Sequence, residues 1–235
     1  MSSPSTAYVL STRALSAALI TEAAAKGIII DVVPFIAMAK SEDEVLTKRL
    51  AELLERPLTA IFTSTNAVTA IENASQPHWK IFCLNGATRR AVVERFGEHS
   101  IASTADSAAE LVKIITGREM PGECWFFCGD KRRDELPDSL KAAGYQVHEM
   151  IVYQTILTPH RIDKPYEAIV FFSPSAVESF FSMNTPEPQI SLFAIGRTTA
   201  AAIRAKCTNP VVTSEQPDEK ILIRQIIATY EYTKE

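Results

Sequence analysis

Residues 129–155 read GDKRRDELPDSLKAAGYQVHEMIVYQT. The apolar run at 124–128 just before them predicts a buried strand. Gly129-Asp130 and the basic triplet Lys131-Arg132-Arg133 form a polar turn. Residues 134–143 have helical spacing and stop at Gly144, and 147–153 predict a second strand ending on Tyr153. Strand, turn, helix, glycine stop, strand is one βαβ unit.

The same alternation extends outward in both directions. N-terminal to this unit, strands are predicted at 8–10, 28–34, 59–62 and 80–84, with a short one near Ile101. Helices fall between them at 15–26, 66–73, 89–96 and 107–116. Gly27 ends the first helix where a left-handed cap is needed. Ser41-Glu-Asp-Glu44 reads as a capping box ahead of a helix whose Leu46, Leu50, Leu53 and Leu54 make an apolar stripe. C-terminal to the unit, strands at 168–172, 192–195 and 211–212 alternate with helices at 176–181, 199–206 and 220–230. The pattern predicts an α/β fold with mostly parallel sheets.

Two halves of the chain match each other. IFTSTNAVTAI (61–71) pairs with VFFSPSAVESF (170–180), and FCLNGATRRAV (82–92) with FAIGRTTAAAI (193–203). Gly27 pairs with Gly144 in a weaker match of the two opening units. The repeat predicts two related α/β units of roughly 110 residues each, a usual domain size, with a ligand cleft between two similar lobes.

Composition narrows the function. The 235 residues are 46% hydrophobic and 22% charged, with net charge −4. That balance suits a globular protein and gives no basic footprint for nucleic acid. Four cysteines form no CxxC pair and four histidines no ligand spacing. Buried thiols in a reducing, cytoplasmic setting are expected rather than a disulfide or a metal. The segment MSSPSTA lacks the charged start and apolar core of a signal peptide. The apolar region 28–37 is broken by Asp31 and Pro34 and is too short to span a bilayer.

The chemistry sits in the turns between strand ends and helix starts, the edge of a parallel sheet that carries ligand sites. Four such turns recur: Thr63-Ser64-Thr65-Asn66, Gly86-Ala87-Thr88, Ser173-Pro174-Ser175 and Gly196-Arg197-Thr198-Thr199. Each can present unpaired helix-terminal N–H groups to a carboxylate or phosphate. Ordinary N-capping explains any single turn as well, since Ser, Thr and Asn lead at caps. Arg13, Arg132 and Arg197 are candidate anion contacts, and the 131–133 triplet reads equally as a solvated helix entry among Asp130, Asp134 and Glu135. Tyr153 is either a half-buried strand aromatic or a phenol able to protonate a leaving oxygen. No GxxxxGK[ST], GxGxxG or Ser-His-Asp pattern occurs, so neither a nucleotide cofactor nor a nucleophilic triad is expected.

Taken together, these motifs resemble the uroporphyrinogen-III synthase family. The resemblance rests on Leu10-Ser-Thr-Arg13, Phe62-Thr-Ser-Thr-Asn-Ala-Val68, Gly129-Asp through Gly144, Ile151-Val-Tyr-Gln-Thr155, Phe172-Ser-Pro-Ser-Ala-Val177 and Ile195-Gly-Arg-Thr-Thr-Ala200. Two turns depart from the family pattern: Arg197 stands where a small residue or proline is common, and Leu84-Asn-Gly-Ala87 is a loose match. The resemblance implies two lobes, each a mostly parallel sheet flanked by helices, joined by a two-stranded antiparallel hinge near 36–39 and 153–157. It makes lobe 1 discontinuous (1–35 and 154–235), with lobe 2 inserted (36–153) and the active-site cleft between them.

The implied activity is closure of the linear tetrapyrrole hydroxymethylbilane to uroporphyrinogen III, with loss of water and inversion of the last ring through a spiro intermediate. Tyr153 matches the tyrosine that assists departure of hydroxide. Arg13, Thr63, Ser64, Thr65, Gly86, Thr88, Gly129, Arg132, Ser173, Pro174, Ser175, Gly196, Arg197, Thr198 and Thr199 are the candidate contacts for this polycarboxylate. No cofactor, metal, nucleic acid or membrane is expected. The chain is expected to be a monomer, and its upstream and downstream pathway enzymes are the partners to consider. The residues leave two alternatives open: a two-lobed anion-binding protein or sensor that closes on its ligand without chemistry, and a family member without activity.

Overall fold

A computed structural model describes residues 6–71, 77–117 and 122–231. The elements begin with β1 (Ala7–Ser11), α1 (Ala17–Ala25), β2 (Ile28–Val32), β3 (Ile36–Lys40) and α2 (Glu44–Leu54). β4 (Leu58–Phe62), α3 (Thr65–Thr69), β5 (Trp79–Leu84), α4 (Ala87–Phe96), β6 (Ile101–Ala105) and α5 (Ala108–Thr116) follow. Next come β7 (Glu123–Gly129), α6 (Glu135–Ala142) and β8 (Gln146–Leu157). The chain closes with β9 (Ala168–Phe171), α7 (Pro174–Phe181), β10 (Ser191–Ala194), α8 (Arg197–Arg204), β11 (Val211–Thr213) and α9 (Glu219–Glu231). Residues 1–5 of the segment tested above for a leader, and positions 72 and 73 of the helix expected at 66–73, lie outside the described residues.

The chain divides into two units, Met1–Ala37 with Ile156–Glu235, and Met38–Thr155. The first unit holds a sheet in the order β11-β10-β9-β1-β2, and the second one in the order β3-β8-β7-β4-β5-β6. The pairings β1 with β2 and β9, and β10 with β9 and β11, are parallel. So are those of β4 with β5 and β7, β5 with β6, and β7 with β8. Apart from β3 the two sheets share one plan, with β4, β5, β6, β7, β8 standing where β9, β10, β11, β1, β2 stand. Strand order therefore reverses between β9 and β1 in one unit, and between β4 and β7 in the other. Such switch points open a crevice at the carboxyl ends of the strands.

Period-two alternation explains why the central strands read as continuous apolar runs. Along β9, Ala168 and Val170 pack with α1 and α9 through Leu19, Ala23, Leu222, Ile223 and Ile226. Ile169 and Phe171 pack on the other side with Ala176, Val177, Phe180, Ala200 and Ile203 of α7 and α8. Along β7, Trp125 and Phe127 join Phe62, Val68, Val92 and Phe96. Cys124, Phe126 and Cys128 join Leu111, Ile115, Leu136 and Leu140. Burying a ring such as Phe127 contributes on the order of 2–3 kcal/mol. The cysteines of β7 are free thiols on one face, and burial pushes Cys128 up to about 12 and Cys124 up to about 11.

The paired glycines are alike in conformation as well as in sequence: Gly27 has φ 73° and Gly144 φ 86°. After α6 the Gly144 N–H donates to Lys141 O (3.0 Å) and the Tyr145 N–H to Leu140 O (3.0 Å). These bonds close a Schellman motif, which requires the left-handed residue.

Three local expectations are corrected. The cap of α2 is Asp43, whose carboxylate accepts from Val45 N (2.8 Å) and Leu46 N. Ser41 does not form the capping box, and its N–H instead donates to Val152 O at 3.1 Å. Helices α7 and α8 begin at Pro174 and Arg197, two residues earlier than the apolar spacing implied, because their polar first turns follow the Ser173 and Gly196 caps. Tyr153 does not end its strand, since β8 runs on to Leu157. β3 lies beside β8 in the second sheet, with Ser41 N bonded to Val152 O and Thr158 N to Phe35 O. Among the described residues no helix is long and apolar enough to cross a membrane.

Candidate active site

In the second unit the switch point gathers Ser64 after β4, Gly129 at the end of β7, and Tyr153 of β8. The Tyr153 hydroxyl donates to Ser64 Oγ at 3.2 Å, across 89 positions of chain. The same oxygen accepts the Asn66 N–H at 3.2 Å, which makes Ser64 the cap of α3. A hydroxyl has two acceptor sites and one hydrogen, so Ser64 keeps a donor available. Tyr153 is half-buried, and its ring packs against the Phe62–Phe127 core. Thr63 and Thr65 flank Ser64, both half-buried.

The neighbouring turn follows β5. Gly86 caps α4 with no side-chain hydrogen bond. Its φ of +75° favours glycine, and a Cβ there would meet open space. The first-turn amides of α4 therefore have no side-chain acceptor of their own, and a carboxylate could supply one. Thr88, by contrast, is buried.

The first unit repeats the arrangement on the matching strands. After β9, Ser173 caps α7 and accepts from Ala176 N at 3.1 Å, with Pro174 opening the helix and Ser175 half-buried. After β10, Gly196 caps α8 without a side-chain bond, and its Cβ space is open. Arg197 and Thr198 are exposed, whereas Thr199 is buried. Both units thus offer a serine-capped helix and a glycine-capped helix side by side.

The arginines differ in how far they are already engaged. Arg132 bonds both Glu149 and Asp134, and Lys141 adds a second contact to Glu149 at 2.7 Å. Burial pushes the Glu149 carboxyl up, but the Lys141 and Arg132 cations outweigh it and leave that carboxyl below its ordinary value. Glu149 in turn holds the Arg132 guanidinium above its ordinary value. Arg132 therefore braces α6 against β8, and the exposed members of the triplet are Lys131 and Arg133. Arg13 pairs with Glu219 at 2.5 Å and lies 4.2 Å over the Phe172 ring.

Two residues at these edges were not among the candidate contacts. Asp130 holds β8 with its backbone N–H on Tyr153 O (3.2 Å) and its carboxylate on Thr155 N (2.8 Å). Thr12, fully buried, donates its hydroxyl to Val170 O at 2.7 Å and ties the end of β1 to β9. The Gly-Asp dipeptide at 129–130 was the available signal for the first, and it read as a turn. Among the described residues no group of three or more His, Cys, Asp or Glu could hold a metal ion.

Comparison with known proteins adds a family and a fold. The family model described as uroporphyrinogen-III synthase HemD matches residues 17–224. The uroporphyrinogen-III synthetase structure from Helicobacter pylori aligns with TM-score 0.67 at 15% identity, covering 95% of this chain and 99% of that one. A mutant uroporphyrinogen III synthase from Thermus thermophilus aligns with TM-score 0.58 at 16% identity, covering 97% of this chain and 99% of that one. At these identities the structural likeness speaks for the fold alone.

Proposed function

The chain belongs to the uroporphyrinogen-III synthase family, whose enzymes act in tetrapyrrole and haem biosynthesis, and from that premise we propose that it closes hydroxymethylbilane to uroporphyrinogen III with Tyr153 as proton donor. The observation that carries the residue assignment is the Tyr153–Ser64 hydrogen bond at the switch point of the second sheet.

The leaving hydroxyl needs a proton. In this reading Tyr153 supplies it as the carbon–oxygen bond breaks, giving water, a phenolate and an azafulvene-type cation on the substrate. Ser64 turns its hydroxyl hydrogen to the phenolate and stabilises the charge. The substituted carbon of the far ring attacks, and the spiro intermediate breaks and recloses. The proton released on final closure returns to the phenolate. The net change is loss of water, the reaction of a hydro-lyase.

Left alone, the substrate closes to the unflipped isomer, so the protein's main task is to hold a productive conformation. The serine- and glycine-capped helix starts at Ser64, Gly86, Ser173 and Gly196 supply amide donors suited to the substrate carboxylates. The exposed Arg197 adds a charged partner. A cytoplasmic setting fits four cysteines that are all free. The test is to supply hydroxymethylbilane, oxidise the products and separate them by isomer. Type III product supports the reading, and type I product at the spontaneous rate overturns it.

A further inference from the structure

We infer that Gly129 is a positioning residue for the Tyr153 phenol rather than a contact for substrate: a register slip in β8 turns the ring onto β7, and the missing Cβ of Gly129 is the space it occupies. This rests on the reading of Tyr153 as proton donor.

Three observations lead there. The first is the slip. β7 and β8 pair residue for residue from Glu123↔Gln146 to Cys128↔Ile151, and then Gly129 pairs with Tyr153, leaving Val152 as the extra residue. In a regular strand successive side chains point to opposite faces. Here Met150 and Val152 lie in the Phe62–Phe127 cluster, and Tyr153 packs against that same cluster. Two consecutive side chains on one face are what a bulge produces, and bulges re-aim side chains near active sites. Without the slip Tyr153 would point to the opposite face of the sheet, away from Ser64.

The second is the space. Trp125 and Phe127 face this cluster from β7, so position 129 projects the same way. A Cβ at Gly129 would strike the Tyr153 Cζ, lying also 2.5 Å from Cε2 and 2.8 Å from the hydroxyl oxygen. Gly129 is not among the positive-φ glycines, so its backbone accepts alanine. The three nearest atoms all belong to the tip of that one side chain. A substitution there displaces the phenol without forcing the backbone to move.

The third is the clamp. Asp130 fixes the strand just past the slip through its bonds with Tyr153 O and Thr155 N. Slip, space and clamp converge on one phenol and explain why β7 ends on Gly129 with Asp130 next.

The experiment is a double-mutant cycle on turnover with Gly129→Ala, Tyr153→Phe and the pair, measured with hydroxymethylbilane alongside thermal unfolding. Gly129→Ala is expected to lower kcat about ten- to a thousandfold, as Tyr153→Phe does, with KM and melting temperature near those of the parent. The pair should be no slower than the slower single variant, because both remove the same phenol. Multiplying losses, or a Gly129→Ala effect confined to KM, overturns the inference and returns Gly129 to substrate binding. Full turnover by Gly129→Ala overturns it as well. Full turnover by Tyr153→Phe sinks the underlying proton-donor reading instead. If Gly129→Ala loses its cooperative unfolding, Asp130→Ala takes its place in the cycle, with the same non-additivity required.

Discussion

Tyr153 and Ser64 share a hydrogen bond of 3.2 Å although 89 positions separate them. The bond joins β8 to the turn after β4 and also engages the cap of α3. One serine hydroxyl thus serves helix stability and the phenol at once.

Ser64→Ala should separate these roles. Losing the cap on Asn66 N costs about 0.5–2 kcal/mol of stability. Turnover should fall as well, by less than in Tyr153→Phe, because the phenol remains. Urea unfolding and kcat measured on one preparation check both. A stability loss with unchanged turnover would remove Ser64 from the proton-transfer step.

Acid should weaken the Glu149 network in a defined direction. The Glu149 carboxyl titrates below its ordinary 4.5 in the folded protein. Its contribution is therefore complete above that value and is lost as pH falls through the lowered one. Glu149→Gln should cost about 1–2 kcal/mol at neutral pH, after allowing for partial exposure. It should also flatten the acid limb of stability against pH. Parallel acid limbs in parent and variant would show that the carboxylate does not contribute in this way.

Gly86→Ala tests backbone conformation rather than space. No atom lies within 4 Å of the added Cβ, but φ is +75°. The strain should cost about 1–3 kcal/mol of stability. A denaturation midpoint unchanged by the substitution would mean that this turn does not hold the conformation described.

The sequence carried most of the fold, for identifiable reasons. β7 and β9 are flanked by helices on both faces, so their residues read as apolar runs, and turn residues bound them. The matched segments 61–71 and 170–180 fall on corresponding strand–helix units, β4–α3 and β9–α7. What stayed hidden depends on contacts distant in sequence. The slip at Val152 leaves no mark, because Ile151, Val152 and Tyr153 are all apolar enough for either face. Ser41 resembled a cap, but its N–H is taken by Val152 across the sheet. Arg13 is engaged by Glu219, 206 positions away, and Arg132 by Glu149, so neither pairing shows in local spacing. Thr88 and Thr199 sit in the first turn after their glycine caps, and burial there depends on packing the sequence does not spell out.

The most direct test of the account is the turnover of hydroxymethylbilane by Tyr153→Phe, with product isomers resolved and folding checked by thermal unfolding. The account predicts an unchanged melting temperature, a turnover about ten- to a thousandfold lower, and a product mixture shifted toward type I as spontaneous closure competes. Type III product at the parent rate would contradict it.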